Sequence, residues 1–445
     1  MSLPAWQSAP DGVRIFIPDP VLEESHRGAE YSFSVWLERR QTGPLLLGNV
    51  TFSLNVAVGR VADAGSAALL VALLPAMRMG LPLRIEAPVS PLLLQHAREV
   101  QEIFSTWLDA LTVVPVQAPC AQPAAPSADD GRGTACLFAP DVDGFHTLQR
   151  QGDGITDLLC IRALDASGDQ NAPRTALVKV AARHGRPLMV VHTNARSFTD
   201  SFLRWDHCCG FVAGAAAHLL ANHLARVFVA SSAPYDGFVP FGTNALTDPL
   251  LSSERLTMVH DGAEFSRLQK LEQLAQDPFV LQNLRVCREN EGTAQNCGRC
   301  ALCLHAMTAL SLQGVLDASP VFPQQIDLNA IRKLRLEEQS LLDAHELQDH
   351  ARQLGMEDSP LMQAWEECLV RGMAESLTNP AAEFVKSLPR RDRELLLEDL
   401  RRHAPDALCR AAANHAGRSR QAVFDFLWKR HRPAVLRSLF KRDRP

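Results

Sequence analysis

Hydrophobic positions near the start of the chain recur with a period of two. "GVRIFIP" (12–18), "YSFSVWLE" (31–38) and "GNVTFSLNVAV" (48–58) alternate or cluster β-branched and aromatic residues, which predicts strands. The period then lengthens. "AGSAALLVALLPAMRMG" (64–80) is a helix-like apolar run interrupted by Pro75. "LPLRIEAPV" (81–89) predicts a further strand. "SPLLLQHAREVQEIFSTWLDAL" (90–111) predicts an amphipathic helix with Ser90 as N-cap and Pro91 at its first position. At 118–133 the pattern stops, and "APCAQPAAPSADDGRG" has the composition of a linker.

From Thr134 strands and helices alternate. "TACLFA" (134–139), "DLLCIRAL" (157–164), "PLMVVHTN" (187–194) and "RVFVASS" (226–232) read as strands. "GFHTLQRQ" (144–151), "RTALVKVAARHG" (174–185, with Gly185 just past its end) and "FVAGAAAHLLANHLA" (211–225) read as helices. The third is too apolar to face water all round. This rhythm predicts an α/β fold with a parallel, doubly wound sheet covered on both faces. Ligands of such sheets sit at the carboxyl ends of the strands. Those ends read "APDVDGF" (139–145), "IRALD" (161–165), "HTNAR" (192–196) and "SSAPY" (231–235). Beyond about 320 the chain turns helical and charged, and its tail (429–445) carries seven Lys/Arg against one Asp. That tail reads as a solvated end or as a docking segment for an acidic partner. The expected organisation is an N-terminal α+β module (1–117), a linker (118–133), an α/β domain (134–330) and a helical C-terminal region (331–445).

Composition narrows the class. At 445 residues, 46% apolar, the chain has material for two or three cores. Forty-five Lys/Arg against 50 Asp/Glu give a net charge of −5, so no global nucleic-acid footprint is present. No apolar run reaches the ~18–20 residues that span a bilayer. The start has no basic segment followed by an apolar one, so no signal peptide is expected, and the expected location is cytoplasmic. In a reducing compartment, clustered cysteines more often bind metal than pair with each other.

Four of the 11 cysteines lie in "CRENEGTAQNCGRCALC" (287–303). The spacing C-x9-C-x2-C-x2-C puts Cys287, Cys297, Cys300 and Cys303 forward as ligands of one zinc ion. Gly298 sits where a tight knuckle needs positive φ, and Cys303 lies at the start of a predicted helix. Four sulfur ligands leave no open position, so the metal would hold the fold together. An iron–sulfur cluster and plain buried thiols are the alternatives, and His305 is a substitute ligand. Cys208 and Cys209 beside His207 read as core residues rather than a nucleophile, because neighbouring helix positions point ~100° apart.

An α/β domain followed by "NCGRC" (296–300), with "LRVC" (284–287) upstream, resembles the PP-loop ATP pyrophosphatases. Within them it is similar to 7-cyano-7-deazaguanine synthases, and to related bacterial proteins that carry the domain behind a β-containing module. Further landmarks are "LLPAMRMG" (73–80), "PLMVVHTNAR" (187–196), "LTDPLLSSE" (246–254) and "HDGAEFSRLQK" (260–270). The resemblance implies a zinc knuckle, ATP with Mg²⁺, and formation of an adenylate. It also implies a nucleotide and substrate lining drawn from Asp143, Asp165, Thr193, Asn194, Arg196, Ser231, Asp248, His260, Asp261, Arg267 and Lys270, with Lys270 reaching phosphate.

The family's S-G-G-x-D-S loop is not kept. Ala139, Pro140, Asp141 and Gly144 stand where the first Ser, both Gly and the last Ser belong, and only Asp143 matches. "IRALD" keeps only Asp165 of the second turn, and no His stands near Ala245. The expectation is therefore a degenerate PP-loop protein, with weak or no pyrophosphatase activity. It would act as a binding or regulatory subunit with a small-molecule or protein partner in a biosynthetic pathway. The rival expectation is an active ATP-dependent ligase with a rewired loop. No catalytic residue is assigned.

Overall fold

The structure is a computed structural model that describes residues 13–26, 28–39, 43–59, 61–122, 131–162, 171–235, 240–287, 289, 295–336 and 338–375. The chain divides into two compact units. The first is built mainly from residues 1–274, the second from 275–282, 286–290 and the chain from 295 on. Asp165 and the basic tail at 429–445 lie outside the described residues.

The first unit is a single 11-stranded sheet with its helices. The alternating N-terminal runs form β1 (Arg14–Ile17), β2 (Val21–Ser25), β3 (Gly28–Glu38) and β4 (Leu45–Leu54). After them come α1 (Gly65–Met79), β5 (Leu83–Ile85), α2 (Pro91–Trp107) and β6 (Val116–Gln117). Helix α1 continues past Pro75. Proline in a helix interior costs ~3 kcal/mol. Thirteen consecutive residues of α1, from Gly65 to Met77, are buried, and that packing outweighs the cost. Ser90 caps α2 as expected, accepting from Leu93 N at 3.0 Å. The distant Glu254 assists it, taking Leu92 N at 2.8 Å and the Ser90 hydroxyl at 2.6 Å.

The alternating region follows as β7 (Gly133–Leu137), α3 (Val142–Gln151), β8 (Asp157–Arg162), α4 (Asn171–His184) and β9 (Leu188–Thr193). It continues with α5 (Ala195–Thr199), α6 (Trp205–Leu219), β10 (Leu224–Ala230), β11 (Thr257–Asp261) and α7 (Arg267–Leu274). Gly185 ends α4 with φ +62°. Strands β11-β10-β7-β8-β9 are mutually parallel. In chain order this is 3-2-1-4-5 read from β9, so the winding reverses between β7 and β10. The fifth parallel strand, "TMVHD", was not expected. It is short, and its polar end hides the apolar run.

The sheet does not stop where the linker was expected. Strand β4 pairs antiparallel with β9, through Phe52↔Thr193 and Leu54↔Val191, and the order runs on through β3, β1, β5 and β6. The segment 118–133 therefore does not divide two sheets. One hydrophobic core, from Ile15 on β1 to Met258 on β11, lies under both parts.

The second unit is helical: α8 (Pro278–Asn283), α9 (Ala301–Leu312), α10 (Leu328–Lys333), α11 (Glu338–Gln353) and α12 (Pro360–Glu375). Trp365 of α12 is buried and donates to the Thr308 hydroxyl of α9 at 2.9 Å. The cysteine segment thus shares its compact unit with the C-terminal helices, whereas the sequence placed it with the sheet. No described helix is long and apolar enough to cross a membrane.

Candidate metal centre and the sheet switch point

Cys287 follows α8 outside any helix or strand, Cys297 precedes α9, Cys300 is its N-cap residue and Cys303 lies in its first turn. Gly298 turns the knuckle at φ +68°, and a Cβ there would meet Pro323 Cγ at 2.5 Å. The four sulfurs all lie within 4.8 Å of one another, and Cys297 and Cys303 are 3.8 Å apart. Bonds of ~2.3 Å from one tetrahedral ion set sulfurs ~3.8 Å apart, so the donors fit a single metal ion. A multi-iron cluster would hold its sulfurs around a larger body. His305, on the following turn of α9, is not one of the four clustered ligands.

Backbone amides face the sulfurs. Arg299 N and Cys300 N donate to Cys297 Sγ at 3.4 and 3.3 Å. Such bonds offset the two net negative charges that four thiolates leave on a divalent ion. The sulfurs also share protons. The hydrogen bond from the Cys303 thiol is the main cause that brings Cys300 down to about 5, against the effect of burial. The same bond, with burial, pushes Cys303 up.

Sequence reasoning missed Asn296. Its side chain is 3% exposed, and its Oδ1 accepts from Val286 N at 2.9 Å and Cys287 N at 3.1 Å. The only hint in the sequence is an Asn placed directly before the knuckle.

In the first unit, the point where the winding reverses is lined by charge. Asp141 is the N-cap of α3, and its own carboxylate takes Gly144 N at 2.8 Å. The carbonyl of Pro140 accepts from Arg285 N at 2.7 Å. Asp143, in the first turn of α3, is 7% exposed and meets Lys270 Nζ at 3.0 Å and an Arg267 guanidinium nitrogen at 3.1 Å. Burial would raise the Asp143 carboxyl, but Arg267 and Lys270 hold it below the usual carboxylate range. Lys270 is 1% exposed and also donates to the carbonyl of Ser231. Asp261 is tied to α3 by the Thr147 hydroxyl at 2.8 Å and Gln151 Nε2 at 2.6 Å. His146, another residue missed, packs edge-on to Phe265 at 5.0 Å and is pushed down by burial and then by Lys270.

The structure thus brings Asp143, Ser231, Asp261, Arg267 and Lys270 together. His260 and Asp248 form a separate pair, with Nδ1 to Oδ2 at 2.7 Å. Adjacent strand residues point to opposite faces, so His260 and Asp261 cannot serve one pocket. Burial raises the Asp248 carboxyl, partly offset by His260. Thr193, Asn194 and Arg196 are spent on the sheet margin. Asn194 takes Thr51 N at 2.8 Å and gives to Asn49 O at 3.0 Å, binding the end of β9 to β4. Thr193 Oγ1 accepts from Ala195 N at 3.0 Å, and Arg196 pairs with Asp200 at 3.3 Å.

Cys208 and Cys209 are each pushed up to about 12, chiefly by burial, so neither is a thiolate at neutral pH. A further buried pair went unforeseen. His218 of α6 stands 3.7 Å from Asp63, which also takes the Ser66 hydroxyl at 3.1 Å. No protein-family model, curated protein or solved structure matches the chain.

Proposed function

We propose that the protein is a zinc-bearing α/β protein of the PP-loop kind whose nucleotide loop is closed by its own carboxylates. It serves as a binding or regulatory subunit and does not split ATP. The observation that carries this reading is the state of the loop between β7 and α3. A triphosphate held there needs bare backbone N–H groups and a free cation. Instead, the Asp141 carboxylate takes the N–H of Gly144. Pro140 has no N–H to offer. The ammonium of Lys270 is already shared between Asp143 and the Ser231 carbonyl. A phosphate ~4 Å from the Asp141 carboxylate would meet ~4 kcal/mol of repulsion at an effective dielectric near 20.

Zinc is the ion favoured for the four cysteines. It prefers four soft ligands in a tetrahedron and needs no open position in a structural site. Its role here is to join the Cys287 arm to α9, and the free energy of binding becomes folding free energy.

Titration calorimetry with ATP and Mg²⁺, run beside a pyrophosphate-release assay, tests the loop. The expected result is millimolar or undetectable binding and no pyrophosphate. A pyrophosphate burst would replace this reading with an adenylate-forming ligase, which Asp143, Arg267 and Lys270 at the sheet switch point would then serve. Elemental analysis tests the metal, with about one zinc per chain expected.

A further inference from the structure

We infer that Asn296 is the positioning residue of the metal centre, the group that sets the Cys287 arm in register with the knuckle. The inference rests on the reading of the four cysteines as metal ligands. The four sulfurs come from two stretches of chain, one holding Cys287 and the other Cys297, Cys300 and Cys303, with nine residues between Cys287 and Cys297. A tetrahedral site needs both stretches at fixed separation. Asn296 touches both. It precedes Cys297 directly, and its Oδ1 accepts from the amides of Val286 and Cys287 at 2.9 and 3.1 Å. One acceptor thus holds the backbone on both sides of the Val286 Cα, immediately before Cys287.

The same residue is anchored from behind. Asn296 N gives to Val321 O at 2.9 Å, and its Nδ2 gives to the same carbonyl at 3.2 Å. Side-chain amides have two donors and one good acceptor, and this arrangement uses both kinds. Because the residue is 3% exposed, water cannot replace these bonds when they are lost. The next segment is held to the knuckle as well, since Pro323 packs where a Gly298 Cβ would stand. Asn296 therefore acts through Cys287 and never touches the ion. Outer-shell partners of metal ligands typically contribute 10–100-fold in affinity.

The test compares wild-type protein with Asn296→Ala and Asn296→Asp, all full length. Zinc affinity is read by competition with a chromophoric chelator, and the ligand set by the absorption spectrum of the cobalt(II) form. Asn296→Ala should lose ~10–100-fold in zinc affinity. Its cobalt spectrum should show weaker sulfur-to-metal charge transfer, because Cys287 is held less firmly. Asn296→Asp keeps an acceptor for both amides and should recover most of the affinity and the spectrum. Should the alanine variant fail to fold, Asn296→Ser carries the same comparison, since its hydroxyl is one atom too short to reach both amides. Wild-type affinity and spectrum in the alanine or serine variant overturn the inference while leaving the metal site standing. Absence of metal binding by wild-type protein removes both.

Discussion

Asp143→Asn is the substitution that asks most of the switch-point geometry. It keeps the shape and one acceptor oxygen but removes the charge that Lys270 and Arg267 face at 3.0 and 3.1 Å. At an effective dielectric near 20, each attraction is about 5 kcal/mol before desolvation is counted. Desolvation cancels much of that for an intact pair. It does not cancel when one partner is removed, because Lys270 stays buried at 1% exposure without the carboxylate that faced it. Loss of one member of a buried pair typically costs ~3–5 kcal/mol, and the retained amide oxygen argues for the lower end, near 3. Urea denaturation followed by circular dichroism measures it. Set beside the single variants Asp143→Leu and Lys270→Met, the double variant Asp143→Leu/Lys270→Met should recover most of the loss, giving a large coupling energy in the cycle. The sign with pH also follows. The folded Asp143 value lies below the ordinary ~3.9, so its contribution is complete above that pH and is lost as pH falls toward the folded value. Asp143→Asn should remove that part of the acid sensitivity. A cost under ~1 kcal/mol, or a double variant as unstable as the sum of the singles, would refute the reasoning.

Other outcomes can be checked more briefly. Cys300→Ser should abolish stoichiometric zinc by elemental analysis and lower the thermal midpoint of the helical unit, and chelation of wild-type protein should do the same. Gly298→Ala should weaken zinc binding and destabilise by ~1–3 kcal/mol, since the residue sits at φ +68° and its Cβ would strike Pro323 at 2.5 Å. Unchanged zinc affinity there would mean that the knuckle can shift. Pro140→Gly with Asp141→Gly should strengthen ATP binding by calorimetry while costing only about a few tenths of a kcal/mol through the lost cap. Gly144→Ser should be left out of that set. Its Cβ would lie 2.2 Å from the carbonyl oxygen of Ala139, so the family's second serine does not fit this loop without moving the backbone.

Several parts of the fold were legible because their signals are local. Period-two runs marked β1, β3 and β4, and the Ser90–Pro91 pair marked the start of α2. Gly185 marked the end of α4, and cysteine spacing marked the cluster of four sulfurs that could hold a metal ion. What was illegible lies in pairings between distant segments. Nothing near Phe52 announces Thr193 as its neighbour, and so the linker at 118–133 looked like a domain boundary. Lys270 looked like a free cation for phosphate because the sequence does not display its contact with Asp143. The separation of His260 from Asp261 could have been foreseen, since neighbours on a strand face opposite ways. It required first seeing "TMVHD" as a strand.

The pairing of β4 with β9 also sets a timetable for biosynthesis. Strand β4 ends at Leu54, but the partner of Phe52 is Thr193, about 140 residues later in synthesis. At ~5–20 residues per second, the ribosome leaves that edge bare for roughly 7–28 seconds. During that interval β3 and β4 form a hairpin with open backbone donors and acceptors and, at the turn end of β4, exposed Leu45 and Leu46. A fragment ending near residue 117 should therefore be released as an aggregating species rather than as a free-standing module.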